Sequence, residues 1–274
     1  MGFEYEDVRL LLWALKGLET RHDLLILGDA VFHFDARTLV GLAKSAEFTL
    51  ASGPETLDSF SFGASLGFAR TETLDVNGRA SLQVDLHQAP PQELLDGFDC
   101  VIDAGVLFWC FDPAAAFKSI LKMVRPGGMI VHITAISGHY GRGYYNVHPL
   151  AFEDFYLLNN CQFVGASFRT RFHVWPLANR ILRKLGLRNR VSYVLEPGSA
   201  YLAESSFNRI SFADSFREPF ERNMLPNNAV GVLTYRKLAN GEIRTPVRTA
   251  LYTREEAAER RMRNAGFAPS ASGR

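Results

Sequence analysis

Asp75, Asp85 and Asp103 each close a short run that reads as a β-strand, in "TETLDVNG", "ASLQVDLHQAPP" and "FDCVIDAG". In an open α/β sheet, ligands bind beyond the carboxyl ends of the strands, where the strand order reverses. A carboxylate after a second strand can accept both hydroxyls of a ribose, and one after a third can accept an adenine amino proton. Acids at that rim favour a nucleoside over a bare phosphate, which prefers N–H groups and positive charge. The same residues also suit plain strand ends, because Asp often opens a turn. Spacing alone leaves both readings standing.

A second group follows the strand "MIVHIT": His139, Tyr140, Tyr144, Tyr145 and His148. A neutral histidine there can take a proton near pH 7, though Tyr and His clusters also pack loops. His132, inside the strand, reads as a core histidine with its hydrogen bonds met. No H-E-x-x-H motif and no Cys/His cluster of ligand spacing is present, so no metal is expected.

The elements that must carry these residues are legible from periodicity. Val8, Leu11, Leu12, Leu15 and Leu18 give one apolar helical stripe over residues 5–20. "DLLILG" reads as a buried strand ending at Gly28 and Asp29, a helix is expected over 36–46, and 51–68 reads as a Gly/Ser-rich connector. Asp112 and Pro113 start a helix that "RPGG" ends. Strands at 161–170 and 229–238 follow, the latter suited to an antiparallel place at the edge, with some 58 residues between them that read as an inserted cap. Thr253 and Glu256 form a capping box for a last helix that Gly266 stops.

These signals predict an α/β fold: a Rossmann-like, doubly wound, mostly parallel seven-stranded sheet with an antiparallel edge strand and a cap inserted between the last two strands. The expected domains are 1–170 with 229–240, the insert 171–228, and a C-terminal extension 241–274. The chain has 274 residues, 47% of them hydrophobic and 22% charged, enough for a sizeable core. Lys plus Arg (30) nearly balances Asp plus Glu (29), which argues against a nucleic-acid footprint. The acidic start "MGFEYEDV" does not suit a signal peptide, and no apolar run reaches membrane-spanning length. Three cysteines without a C-x-x-C pair fit buried thiols in a reducing compartment, so a cytoplasmic place is expected.

The segment "FDCVIDAGVLFWCFDPAAAFKSILKMVRPGGMIVHIT" resembles the second half of the class I S-adenosylmethionine-dependent methyltransferases, where an FD-x-V-hydrophobic-D strand leads through a cofactor-lining loop and a D-P-x-x-A helix to an R/K-P-G-G turn. "SGHYGRGYYNVHPLAFEDFY" and "LDVNGRASLQVDLHQAPP" are similar to the corresponding stretches of a bacterial branch. The likeness runs from about residue 22 to 170. It implies S-adenosylmethionine as cofactor, held at Gly28, Asp29, Ala30, Asp75, Val76, Asp85, Leu86, Asp103, Ala104, Gly105 and Leu107. It implies His139, Tyr144 and His148 on the acceptor side.

The departures are specific. The family's first loop is hydrophobic-Asp-x-Gly-x-Gly-x-Gly, but here Ile26 replaces the acid, and Ala30 and Phe32 replace the last two glycines. A phenylalanine side chain there obstructs a cofactor that glycine would admit. Leu107-Phe108-Trp109 stands where many relatives carry Leu-Glu-His.

The expected function is methylation of a small-molecule acceptor, O-directed, with a sugar or a specialised metabolite suggested by the bacterial relatives. The alternative is a catalytically inactive relative that binds a partner through the same crevice. The absent G-x-G-x-x-G argues against a nicotinamide oxidoreductase. The basic amphipathic stretch 180–190 allows an anionic or lipid-linked substrate, or simply a helix packing its leucines. A homo-oligomer is compatible with the sequence, and no integral membrane segment is expected.

Overall fold

The structure, a computed structural model, describes residues 2–139, 141–171, 190–195, 202–203 and 229–246. In chain order the first elements are β1 (Gly2–Phe3), α1 (Tyr5–Leu15), β2 (Asp23–Leu27), β3 (Val31–Phe32), α2 (Ala36–Ser45) and α3 (Ser59–Ser65). Next come β4 (Arg70–Asp75), β5 (Leu82–Gln83), β6 (Phe98–Asp103), α4 (Pro113–Met123) and β7 (Val124–Ala135). The chain continues with α5 (Pro149–Leu158), β8 (Cys161–Arg171), β9 (Arg190–Leu195), β10 (Leu202–Ala203) and β11 (Val230–Lys237).

The central strands are apolar on both faces, so each face needs a cover of helices. Leu25, Leu27, Val101 and Ile130 point to one side, where Phe117, Ile120 and Leu121 of α4 and Phe152, Phe155 and Tyr156 of α5 meet them. Their neighbours Leu24, Ile26, Ile102 and Val131 point to the other, against Leu11, Leu12 and Leu15 of α1, Leu39 of α2 and Phe62 of α3. Alternation along each strand therefore builds both cores at once.

The nine-stranded sheet has the order β10-β9-β8-β11-β7-β6-β2-β4-β5. From β2 the chain adds β4 and β5 on one side, then returns to add β6 and β7 on the other, all parallel. The switch point lies between β2 and β6. β11 is antiparallel as expected, but it lies inside the sheet, paired with both β7 and β8. Its residues explain the interior place: Leu233 and Tyr235 fill one core, Val230 and Val232 the other. An edge would leave one row of its N–H and C=O groups without partners.

Two described pieces of the expected insert, β9 and β10, extend the sheet beyond β8, so the sheet exceeds the expected seven strands. The basic stretch 180–190, apart from Arg190 at the start of β9, lies outside the described residues, as do Tyr140 and the expected helix at 253–266. The expected connector 51–68 contains α3. Asp58 caps that helix by accepting from the Ser61 N–H, and the Ser61 hydroxyl lies within reach of the Asp58 N–H, a reciprocal capping box.

Charged groups pin the opposite, amino-terminal ends of the strands. Asp99 accepts from the His22 and Asp23 N–H groups at 2.7 and 2.8 Å and pairs with Arg125 at 3.1 Å. Asp23 pairs with Arg70 at 2.6 Å and with Arg125 at 2.9 Å. Burial pushes the Asp23 carboxyl up, but hydrogen bonds from His22, Arg70 and Arg125 outweigh it, and its pKa falls below the ordinary value. Lys237 is buried yet spends its ammonium on Asp96, Leu121 O and Val124 O, which closes the end of α4. A cavity of about 500 Å³ opens above Lys237, and its floor is this self-satisfied group.

Candidate active site

Gly28 leaves β2 with φ of +87°, a region that favours glycine, and its N–H donates to Leu74 O at 2.8 Å. A Cβ at this position would lie 2.7 Å from a Val106 methyl, on the loop after β6. The two loops flanking the switch point therefore touch, and a side chain at 28 would force them apart. This is the place where a doubly wound sheet holds its ligand.

Past Gly28 the chain does not form an open glycine loop. Val31 and Phe32 pair as a parallel ladder with Gly2 and Phe3. The Phe32 ring stacks on Phe3 at 4.9 Å and lies 5.0 Å from the Phe62 ring. The expected obstruction is thus overturned: the side chain is drawn into the core under α3. Ala30 packs against that same core. Phe108, which stands where many relatives carry a glutamate, is buried, and its neighbour Trp109 is half exposed.

The acids divide into two kinds. Asp75 ends β4 at the rim, with one oxygen accepting from the Asn77 N–H at 3.2 Å, beside Val76, which is 71% exposed. Asp85 lies on the neighbouring turn, where Oδ1 accepts from the His87 N–H and ring Nδ1–H at 3.0 and 2.6 Å. Those bonds, the backbone one foremost, hold its carboxyl below the ordinary range. Asp29 is exposed and 3.5 Å from Arg79.

Asp103 is different, and its expected contact with a ligand is corrected. It is fully buried, and Oδ1 accepts from the N–H groups of Gly105, Val106 and Leu107 at 3.0, 2.6 and 3.3 Å. Oδ2 lies 2.9 Å from His132 Nδ1, and His132 Nε2 lies 2.6 Å from the Tyr156 hydroxyl. A carboxylate can only accept, so the imidazole proton sits on Nδ1 and Tyr156 donates to Nε2. Asp103 shapes the loop 104–107 from below; His132 is the satisfied core histidine expected. Leu86 and Leu107 are buried as well, part of the floor, while Ala104 and Gly105 continue the shaped loop.

The loop after β7, expected to face the acceptor, lies over the turn Leu107–Trp109. A Cβ on Gly143 would collide with the Phe108 ring, and the Tyr144 and Tyr145 N–H groups donate to Phe108 O at 2.8 and 3.3 Å. Tyr144 stands exposed, its ring edge-on to exposed Phe111 at 5.6 Å. His139 adopts φ of +56° in the same loop. His148 caps α5 instead: its Nδ1 accepts from the Leu150 N–H at 3.2 Å, ahead of Pro149. With Nδ1 accepting, a neutral ring carries its proton on Nε2 and has no lone pair left for a substrate, so His148 does not suit the base.

The structure thus brings Asp75, Val76 and Asp85 to the carboxyl end of the parallel strands, with Asp103 and Leu107 buried beneath them and His148 at the start of α5. It adds His87 and Phe111, which sequence reasoning missed; the D-L-H spacing at 85–87, an acid turn returning a histidine, was the available signal. Among the described residues, no group of three or more His, Cys, Asp and Glu side chains is placed to hold a metal, and no helix is long and apolar enough to cross a membrane.

The crevice fits a nucleoside-bearing cofactor. Asp75 engages one carboxylate oxygen in its own turn at the end of β4, Val76 offers an exposed apolar surface for a base, and the bulky Phe32 packs on Phe3 and Phe62.

Comparison with known proteins bears on the domain that carries these residues. A family model described as a methyltransferase domain matches residues 65–132, from the end of α3 to the middle of β7. No curated protein matches. Among solved structures, the YcgJ protein of Bacillus subtilis is similar at 9% identity, covering 87% of this chain and 100% of its own, with a TM-score of 0.43. A putative methyltransferase of Bacillus halodurans is similar at 8% identity, over 84% of this chain and 98% of its own, with a TM-score of 0.42. The branched-chain polyamine synthase of Thermus thermophilus is similar at 14% identity, over 92% and 61%, with a TM-score of 0.41. Likeness at that level says nothing of activity. The matched stretch, β4 to β7, is similar to a methyltransferase domain, and the doubly wound sheet around it is of the Rossmann-like methyltransferase type.

Proposed function

We propose that this protein methylates a hydroxyl of a small molecule, a sugar or a specialised metabolite, with S-adenosylmethionine as donor. The observation that carries the donor half is Asp75, a rim carboxylate beside exposed Val76 at the switch-point end of the sheet. When bound, the cofactor supplies an electrophilic methyl group on sulfur. With the cofactor bound, Asp75 would accept the ribose hydroxyls, Val76 would cover the base, and the second oxygen of Asp85 would accept the adenine amino proton. Gly28 lets the loops after β2 and β6 close on each other, and Asp103 holds the second of them in shape.

The acceptor enters over the aromatic rim of Trp109, Phe111 and Tyr144, whose exposed faces suit a flat ring or the C–H face of a sugar. His139 is the residue best suited to take the hydroxyl proton, since His148 is committed to α5. An inactive relative is the weaker reading, because Phe32 no longer fills the crevice. The test is mass spectrometry with methyl-deuterated cofactor and a panel of hydroxylated acceptors. Methyl transfer that falls roughly a hundredfold in His139→Ala supports general-base catalysis; transfer to nitrogen or sulfur alone contradicts the O-directed reading.

A further inference from the structure

Three hydrogen bonds meet at His87, on the turn after β5. Its N–H and its Nδ1 reach Asp85 Oδ1 at 3.0 and 2.6 Å, while its Nε2 accepts from the Phe111 N–H at 3.0 Å. Phe111 in turn accepts the Tyr145 hydroxyl on its carbonyl at 3.1 Å and meets the Tyr144 ring edge-on. From below, the buried Ser119 hydroxyl of α4 donates to Gln88 O at 2.8 Å, which fixes the turn that carries the imidazole. A continuous line therefore runs from the Asp85 carboxylate, on the nucleoside side, to the aromatic loop after β7.

We propose that His87 is a positioning residue that ties the nucleoside side of the crevice to the acceptor rim, and that the tie holds only while the imidazole is neutral with its proton on Nδ1. It rests on the assignment of Asp85 to the nucleoside side. The geometry admits one tautomer. Asp85 can only accept, so Nδ1 must donate; the Phe111 N–H can only donate, so Nε2 must carry the lone pair. A second proton on Nε2 would set donor against donor and free Phe111, with Tyr144 and Tyr145 behind it.

The carboxylate facing the ring is Asp85, on its own turn, 2.6 Å from Nδ1. Imidazoles in general take their second proton between about pH 5 and 8. The acceptor rim is accordingly ordered at the alkaline side of that window and loosened at the acid side.

The test is amide hydrogen exchange at Phe111, followed by NMR on the full chain without cofactor at pH 8 and pH 5.5, corrected for intrinsic exchange. Wild type is expected to protect this amide at pH 8 and to lose roughly five- to tenfold of that protection at pH 5.5, the range one hydrogen bond supports. His87→Asn keeps a donor for Asp85 but falls short of Phe111, so it loses the protection at both pH values. His87→Gln reaches further, presents a carbonyl oxygen, and retains protection without the pH dependence. Equal Phe111 exchange in wild type and His87→Asn at pH 8, in variants that stay folded by circular dichroism, overturns the proposal. Titration with S-adenosylhomocysteine separates the two levels. Absent binding to wild type with the exchange pattern intact removes the nucleoside assignment and so overturns the tie as a link between subsites. Binding with an unchanged Phe111 overturns the tie alone.

Discussion

Replacing Phe32 by Ala separates the two roles a bulky residue in the first loop can have. The ring is half-buried and packed on Phe3, Phe34 and Phe62, with centroids 4.9, 5.8 and 5.0 Å away. Truncating a fully buried Phe costs about 3–5 kcal/mol, so a half-buried one with three aromatic neighbours should cost roughly 2–3 kcal/mol. At about 2–4 °C per kcal/mol for a chain of this size, Tm should fall by roughly 5–10 °C. Because the ring lies away from the crevice, the Kd for S-adenosylhomocysteine should stay within about threefold at a temperature where both proteins are folded. Differential scanning calorimetry and titration calorimetry give the two numbers. An unchanged Tm together with tenfold tighter binding would refute the reasoning, since it would mean that the ring had stood in the ligand's way.

Asp103→Ala strips the acceptor from three loop N–H groups and from His132, and should cost about 3–5 kcal/mol in urea unfolding; Asp103→Asn should cost less, because a flipped His132 tautomer can accept its amide. The lowered pKa of Asp23 makes its contribution fully present above the unfolded carboxyl value near ~3.9 and lost as pH falls through the lower folded value. The stability gap between wild type and Asp23→Asn, measured by urea unfolding, should therefore be open at pH 7 and close below about pH 4. Burial pushes the Cys110 and Cys161 thiols up to about 12, so at pH 8 a thiol reagent should modify the native protein far more slowly than the urea-unfolded chain.

What the sequence made legible follows from where periodic signals are strong. Alternating apolar runs located β4, β6, β7, β8 and β11, and the Asp112–Pro113 start located α4, because these elements are specified by local composition and capping. The place of β11 was not legible: an eight-residue run apolar on both faces marks a buried strand but not its neighbours, which only the packing of Leu233 and Tyr235 against one core and Val232 against the other decides. β1 and β3, two residues each, carry no periodicity, and their pairing across 29 positions is what moved Phe32 out of the crevice. Among the site residues, the rim position of Asp75 and Asp85 was readable from strand ends. That Asp103 faces inward was not, since its partners are backbone N–H groups that any sequence supplies, and His132 lies a strand away.

The most direct test of the account is titration calorimetry of the purified protein with S-adenosylmethionine and S-adenosylhomocysteine, beside the Asp75→Asn variant. Binding to wild type with a Kd of roughly 1–100 μM, weakened about thirtyfold or more in Asp75→Asn as the charge-assisted bonds to the ribose hydroxyls are lost, is the predicted result. No heat and no thermal stabilisation of wild type at millimolar ligand would contradict it.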